Sequence, residues 1–220
     1  MSDFIAASCV GLAQVGVGHP FDTTLTLIQN KKNWRSLPFT QYYRGWKYPL
    51  CSSVIFNMTV FPFVERSQKY TGSIFLSGAL AGVCVAPAMF CFEFGKIKQQ
   101  TKQEVTLRDM MRNTGRISML SREVVAMSSY FGMYNYMREK DFNFLTSGGA
   151  AGLANWTLTY PIEVVKNRQL AQNISIRQAL SQKNLLKGYP ICATRATLVN
   201  AVNFWTYETV KNFVEKINLK

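Results

Sequence analysis

Three stretches of this chain, HPFDTTLTLIQ (19–29), FCFEFGKIKQQ (90–100) and YPIEVVKNRQL (160–170), align without a gap and set Pro20, Cys91 and Pro161 at offsets of 71 and 70. A repeat at a fixed period means that each unit is one supersecondary element that buries itself against its copies, which constrains the fold more than any isolated motif. A second series agrees with the first. Gly45, Gly115 and Gly188 lie 70 and 73 apart, and 20 residues beyond them stand Glu65, Asn135 and Glu208. Nine residues before each first marker are Gly11, Gly82 and Gly152, preceded four residues earlier by Ala7, Gly78 and Gly148. Small residues four apart allow helices to approach closely in lipid. The chain thus divides into units 1–71, 72–140 and 141–220.

The medium is read from the charges. A hydrophobic content of 48% suits either a soluble core or several membrane spans. Phe4 to Phe21, Tyr48 to Val64, Tyr70 to Phe92 and Phe142 to Ile162 each run 17 residues or more without Asp, Glu, Lys or Arg. Such runs can cross about 30 Å of hydrocarbon as helices. A bundle of amphipathic helices in water would instead show a charge at every third or fourth position, and Tyr70 to Phe92 has none. The expected architecture is an all-α membrane protein, with six transmembrane helices in three pseudosymmetric two-helix repeats around a central cavity. The basic segments 30–44, 102–114 and 172–187, with amphipathic pieces TLRDMM and SIRQAL, are expected on one membrane face. Short connections 66–71 and 138–143 are expected on the other.

Composition removes several kinds of function. His19 is the one histidine, so neither a Ser-His-Asp arrangement nor a typical metal site is suggested, and no G-x-x-x-x-G-K accompanies a strand-like run. An enzyme is not expected, and no cofactor or metal is called for. Five cysteines, at 9, 51, 84, 91 and 192, form no C-x-x-C and read as buried reduced thiols. A net charge of +13 could address nucleic acid, but the aromatic residues lie in apolar runs rather than on a basic face, so anionic lipid is the expected partner of that charge. No Lys or Arg precedes Lys31, so any import signal is expected to be internal.

PxDxxxxxxQ at Pro20 to Gln29, CxExxKxKxQ at Cys91 to Gln100, PxExxKxR at Pro161 to Arg168, YRG at 43–45, LKG at 186–188 and YETVK at 207–211 together resemble the tripartite signature of the mitochondrial carrier family. The resemblance covers nearly the whole chain, which is short for that family. It implies a monomeric, multi-pass protein of the mitochondrial inner membrane that exposes a central site to each side in turn. Acid and base three residues apart share a helix face, and in the family the acid of one unit pairs with the base of the next. Carried over, Asp22 meets Lys96, Glu93 meets Lys166, and Glu163 meets Leu25, where the family has a base. These residues would form the matrix gate, braced by Gln29 and Gln100 but not by Leu170, and Cys91 replaces a proline that Pro87 could supply one turn earlier. The opposite, cytoplasmic gate would pair Glu65 with Arg138, Asn135 with Lys211, and Glu208 with Gln68. Gly45, Gly115 and Gly188 resemble the family's cardiolipin sites, where exposed N–H groups bind phosphate.

Seven residues beyond the marker glycines come Ser52, Arg122 and Arg195, positions that belong to the family's substrate contact points. Charged residues at this depth are costly and are functional candidates by default. Arginine's planar fork suits a carboxylate or phosphate, and Glu123 beside Arg122 could hold an ammonium. That pattern resembles carriers of amino acids and related zwitterions such as S-adenosylmethionine. The +13 charge equally suits a nucleotide or deoxynucleotide exchange carrier, and both small-molecule classes stay open at this point. A non-transporting membrane adaptor with a carrier fold is the alternative of another class.

Overall fold

The computed structural model describes residues 2–35 and 37–218, with some side chains inside the helices left out, mainly in the first and last helices. Among them are nine helices and no strand: α1 (Ser2–Gln29), α2 (Phe39–Tyr42), α3 (Lys47–Thr71), α4 (Ile74–Gln100), α5 (Leu107–Arg112), α6 (Arg116–Glu139), α7 (Phe144–Gln172), α8 (Ile176–Ser181) and α9 (Tyr189–Asn218). The order long, short, long recurs three times. The long helices have 24 to 30 residues, or about 36 to 45 Å at 1.5 Å per residue. Pro20, Pro87 and Pro161 lie inside α1, α4 and α7.

Local chemistry sets the boundaries. Ser73 caps α4 by accepting from Leu76 N–H, and Asn143 caps α7 by accepting from Thr146 N–H. Ser175 and Gln178 close a reciprocal capping box on α8, satisfying two orphan donors at once. Past the ends of α1, α4 and α7, the chain turns at left-handed residues Lys31, Lys102 and Asn173, with φ of 56°, 59° and 52°. Segment 66–71, expected as a connection, belongs to α3; the turn falls at Gly72, whose φ of 64° suits a residue without Cβ.

α3, α4, α6 and α7 pack in that order, and α1 packs on α9 and also meets α3. One apolar cluster, including Val60, Val85, Phe94, Met119 and Ala126, joins α3, α4 and α6. A smaller one of Leu25, Tyr160, Val164 and Cys192 joins α1, α7 and α9. Of the small-residue pairs, Gly78 and Gly82 serve a close approach, whereas Gly11, Gly148 and Gly152 have nothing among the described residues within 4 Å of where a Cβ would sit. Among the described residues only α4 is long and apolar enough to cross a membrane on length and composition alone. The other long helices carry more polar residues, many of them on the cavity wall described below.

The surface is inverted relative to a water-soluble bundle. Lys166 and Arg168 are 1% exposed and Glu123 2%, while Leu12, Ile55, Phe75, Ile117, Leu153 and Trp205, one on each long helix, face outward. The thiols follow the same inversion. Cys51, Cys84 and Cys91 are exposed, Cys9 is intermediate, and Cys192 alone is buried; all five are free. The expectation of buried thiols is corrected here, because an apolar run on an outward helix face is not a core.

Candidate functional site: a charge-lined cavity

A cavity of about 450 Å³ is lined from all six long helices, by Asp22 of α1, Ser52 of α3, Glu93 and Lys96 of α4, Arg122 and Glu123 of α6, Trp156, Glu163 and Lys166 of α7, and Arg195 of α9, among others. Its charged residues form one alternating chain. Arg195 pairs with Asp22, Asp22 with Lys96 (2.9 Å), Lys96 with Glu93 (3.8 Å), Glu93 with Lys166 (3.2 Å), Lys166 with Glu163 (2.8 Å), Glu163 with Arg122 (3.2 Å) and Arg122 with Glu123 (2.6 Å). Proximity follows from spacing: acid and base at i and i+3 share a face on α4 and α7, so each helix presents both signs to its neighbours.

The structure brings together Asp22 with Lys96 and Glu93 with Lys166, the two cross-unit ionic pairs read from the sequence. Glu163 is different. Leu25, expected opposite it, is packed with Tyr160, Val164 and Cys192, and Glu163 bonds Lys166 and Arg122 instead. Arg122 and Arg195, expected to face the cavity, line it and each also hold a carboxylate of the charged chain, Glu163 and Asp22 respectively. Ser52 lines the cavity, with its hydroxyl donating to Pro49 O at 3.1 Å. Sequence reading missed Trp156. Both guanidinium groups sit against its ring, at 5.8 and 5.9 Å from the centroid, a spacing at which the ring quadrupole attracts cations. Its place one turn before Tyr160 in an uncharged run was the available signal.

Beneath these pairs, Gln29 accepts from Asn167 and donates to Tyr160 Oη, joining α1 to α7. Gln100 accepts from Thr26 and donates to Thr23, joining α4 to α1. Leu170, in the third such place, is fully buried, and Gln169 beside it bonds Ser118 of α6. Lower still, cations cap the carbonyl ends of neighbouring helices in cyclic order. Lys32, after α1, donates to Thr101 O (2.8 Å) at the end of α4; Lys98 of α4 donates to Ala171 O (3.4 Å) in the last turn of α7; Arg168 of α7 donates to Gln29 O (3.1 Å), the last residue of α1. A cation at a helix C-terminus satisfies an orphan carbonyl and meets the negative end of the dipole. Lys32→Ala is expected to lower thermal stability by no more than about 1 kcal/mol, the typical worth of one such bond at an exposed site, read as a small fall in melting temperature.

Among the described residues, the other end of the bundle has no such ring. Arg138 donates to Phe142 O and Asn135 to Glu139, both within their own segment, and Glu65 and Gln68 are exposed. The side chains of Glu208 and Lys211 lie outside the described residues. Gly45 and Gly188 adopt φ of 86° and 95°, where a side chain would strain the backbone. Gly45 and Gly115 are buried, and the Gly115 N–H donates to Asn113 Oδ1 at 2.9 Å. A free N–H for a phosphate is thus not offered at Gly115, because Asn113 takes it and Leu170 packs over it.

Residues 141–218 match the family model of mitochondrial carrier proteins. Over nearly its whole length the chain is also similar to a mitochondrial basic amino acids transporter of Bos taurus, at 25% identity with 96% of this chain and 91% of that protein aligned. It is similar to mitochondrial ornithine transporter 1 of Saccharomyces cerevisiae, at 23% identity with 94% of each covered, and to a mitochondrial arginine transporter of Arabidopsis thaliana, at 28% identity with 94% and 89% covered. The relatives that align with nearly the whole chain are named as mitochondrial transporters, and the family match over its last third agrees with them.

Proposed function

We propose that this protein carries a small amino-acid-like metabolite, with basic amino acids first among candidates, across the mitochondrial inner membrane by alternating access. Its three units, 1–71, 72–140 and 141–220, would each supply two membrane-crossing helices to the cavity wall. It would act as a monomer surrounded by membrane lipid, cardiolipin included. The outward apolar residues on every long helix and the charged interior support the membrane reading. The pairs joining Asp22, Lys96, Glu93, Lys166 and Glu163, braced by Gln29 and Gln100, would close the matrix side. At the end carrying Glu65, Asn135 and Arg138, the described bonds stay within one segment.

The observation that carries the substrate class is the charge balance of the wall. Among the described residues four acids and four bases line the cavity, so they contribute nothing to the surplus of +13. A polyphosphate entering such a site would bring several negative charges to a neutral wall. A zwitterionic head group finds both signs in place, its carboxylate at Arg122 or Arg195 and its ammonium at Glu123, whose buried Oε2 has no hydrogen-bond partner. An unpartnered buried acceptor costs about 1 to 3 kcal/mol, which a ligand donor would recover. The names of the relatives, transporters of basic amino acids, ornithine and arginine, support the same class.

The test is a ligand panel on purified protein, because a ligand that binds only the folded state raises its melting temperature by mass action. Arginine, ornithine and lysine are expected to raise it and to accumulate in proteoliposomes, with S-adenosylmethionine as a larger member of the same class. A response confined to ATP or dATP would replace this reading by nucleotide exchange. A flat response to the entire panel would favour the adaptor.

A further inference from the structure

We infer that Arg122 is the third base of the matrix gate as well as a substrate ligand, so that the substrate's carboxylate opens the gate by drawing Arg122 away from Glu163. The inference rests on the transport reading above and deepens it. Two ring acids have a cross-unit lysine, Asp22 with Lys96 and Glu93 with Lys166. The corresponding position for Glu163 is Leu25, which is apolar and enclosed by Tyr160, Val164 and Cys192. Without another cation, Glu163 would have Lys166 alone, on its own helix and already engaged by Glu93. Arg122 reaches it from α6, one residue from the Glu123 carboxylate that holds its other end.

The Arg122 to Glu163 contact differs in kind from the two cross-unit lysine pairs. Lys96 and Lys166 donate hydrogen bonds to Asp22 and Glu93. Arg122 Nε and Glu163 Oε2 lie 3.2 Å apart, yet both are buried without a hydrogen bond. Charge holds them together, but the direction of the N–H is wrong. A free carboxylate can orient itself to take two parallel bonds from a guanidinium, so an incoming ligand can outcompete Glu163 for this arginine. Arg195 plays another part: its carboxylate, Asp22, keeps Lys96 when the arginine leaves. Loss of Arg122 therefore removes the one cross-helix ion pair described for Glu163, whereas loss of Arg195 removes a duplicate at Asp22. A ligand shifts a two-state gate only by its differential affinity for the two states, and here the difference lies at one guanidinium.

The consequence for specificity is a requirement for a carboxylate. Arginine should be taken up, and agmatine, the same side chain without the carboxylate, should not. Leu25→Lys supplies the missing base and makes Arg122 dispensable to the ring. This variant is expected to melt higher than wild type without ligand, and to lose about tenfold in the turnover of arginine uptake, equivalent to ~1.4 kcal/mol, with KM unchanged or lower. Glu163→Gln is the second variant, useful should the introduced lysine fail to pack: it removes the competitor for Arg122 and is expected to tighten arginine binding about tenfold, again ~1.4 kcal/mol. Leu25→Lys with unaltered melting and turnover, Glu163→Gln with unaltered or weaker arginine binding, or agmatine uptake equal to that of arginine would each overturn the inference. If wild type takes up no amino acid while Leu25→Lys still melts higher, the ring role of Arg122 stands and the transport reading falls.

Discussion

Arg122→Ala is expected to melt on the order of 10 °C below wild type, and Arg122→Ala/Glu123→Ala to recover part of that loss. For a residue read from the sequence as a substrate contact, the simple expectation is that Arg122→Ala stops uptake with folding intact. The structure changes the second half. Glu123 lies in α6 at 2% exposure, and its Oε1 accepts from Arg122 Nη1 at 2.6 Å. Truncating one member of a buried pair leaves an uncompensated charge and costs about 3 to 5 kcal/mol. For a chain of this size each kcal/mol moves the midpoint roughly 2 to 4 °C. Removing both partners leaves no isolated charge, so the double variant should be the more stable despite carrying more substitutions. Both should lose uptake. Thermal melts in detergent check this: an Arg122→Ala melt equal to wild type, or a double variant melting below the single, would show that Glu123 does not depend on Arg122.

The difference between these two expectations marks what the sequence could convey. The threefold motif was legible because its residues recur in register, and the Asp22 to Lys96 and Glu93 to Lys166 pairs followed from the family pattern which that motif resembles, while spacing alone shows only that Glu93 and Lys96, or Glu163 and Lys166, share a helix face. The bond from Arg122 to Glu163 was not legible, since it joins two motifs that sequence reading assigns to separate depths of the cavity, one to the ligand and one to the gate. Nor was the lower ring of Lys32, Lys98 and Arg168. Its acceptors are backbone carbonyls, which every residue carries, so no letter of the sequence marks them. Net charge selects no substrate by itself for a related reason: +13 is a property of the entire chain, while a substrate meets only the wall it touches.

Glycine was the least legible residue of all, and it supports the second large prediction. Gly82→Ala is expected to cost about 2 to 3 kcal/mol and to impair uptake, the upper part of the range for overpacking, while Gly152→Ala, its counterpart in the repeat, should be neutral or slightly stabilising. A Cβ at Gly82 would lie 2.6 Å from Glu123 O and 2.8 Å from Val124 Cα, and at Gly78 2.7 Å from Met127 O. These obstacles are backbone, which cannot rotate aside, so α4 and α6 must separate; overpacking of this kind costs typically ~1 to 3 kcal/mol. Separation also displaces Glu123, and with it the Arg122 guanidinium that Glu163 contacts and that the proposed substrate would engage. At Gly152 nothing among the described residues lies within 4 Å, so alanine is expected to bring only its better helix propensity, worth up to about 1 kcal/mol. Equal melting temperatures for the two variants would mean that α4 and α6 tolerate separation, and would remove the close backbone contact as the element that positions the charged wall.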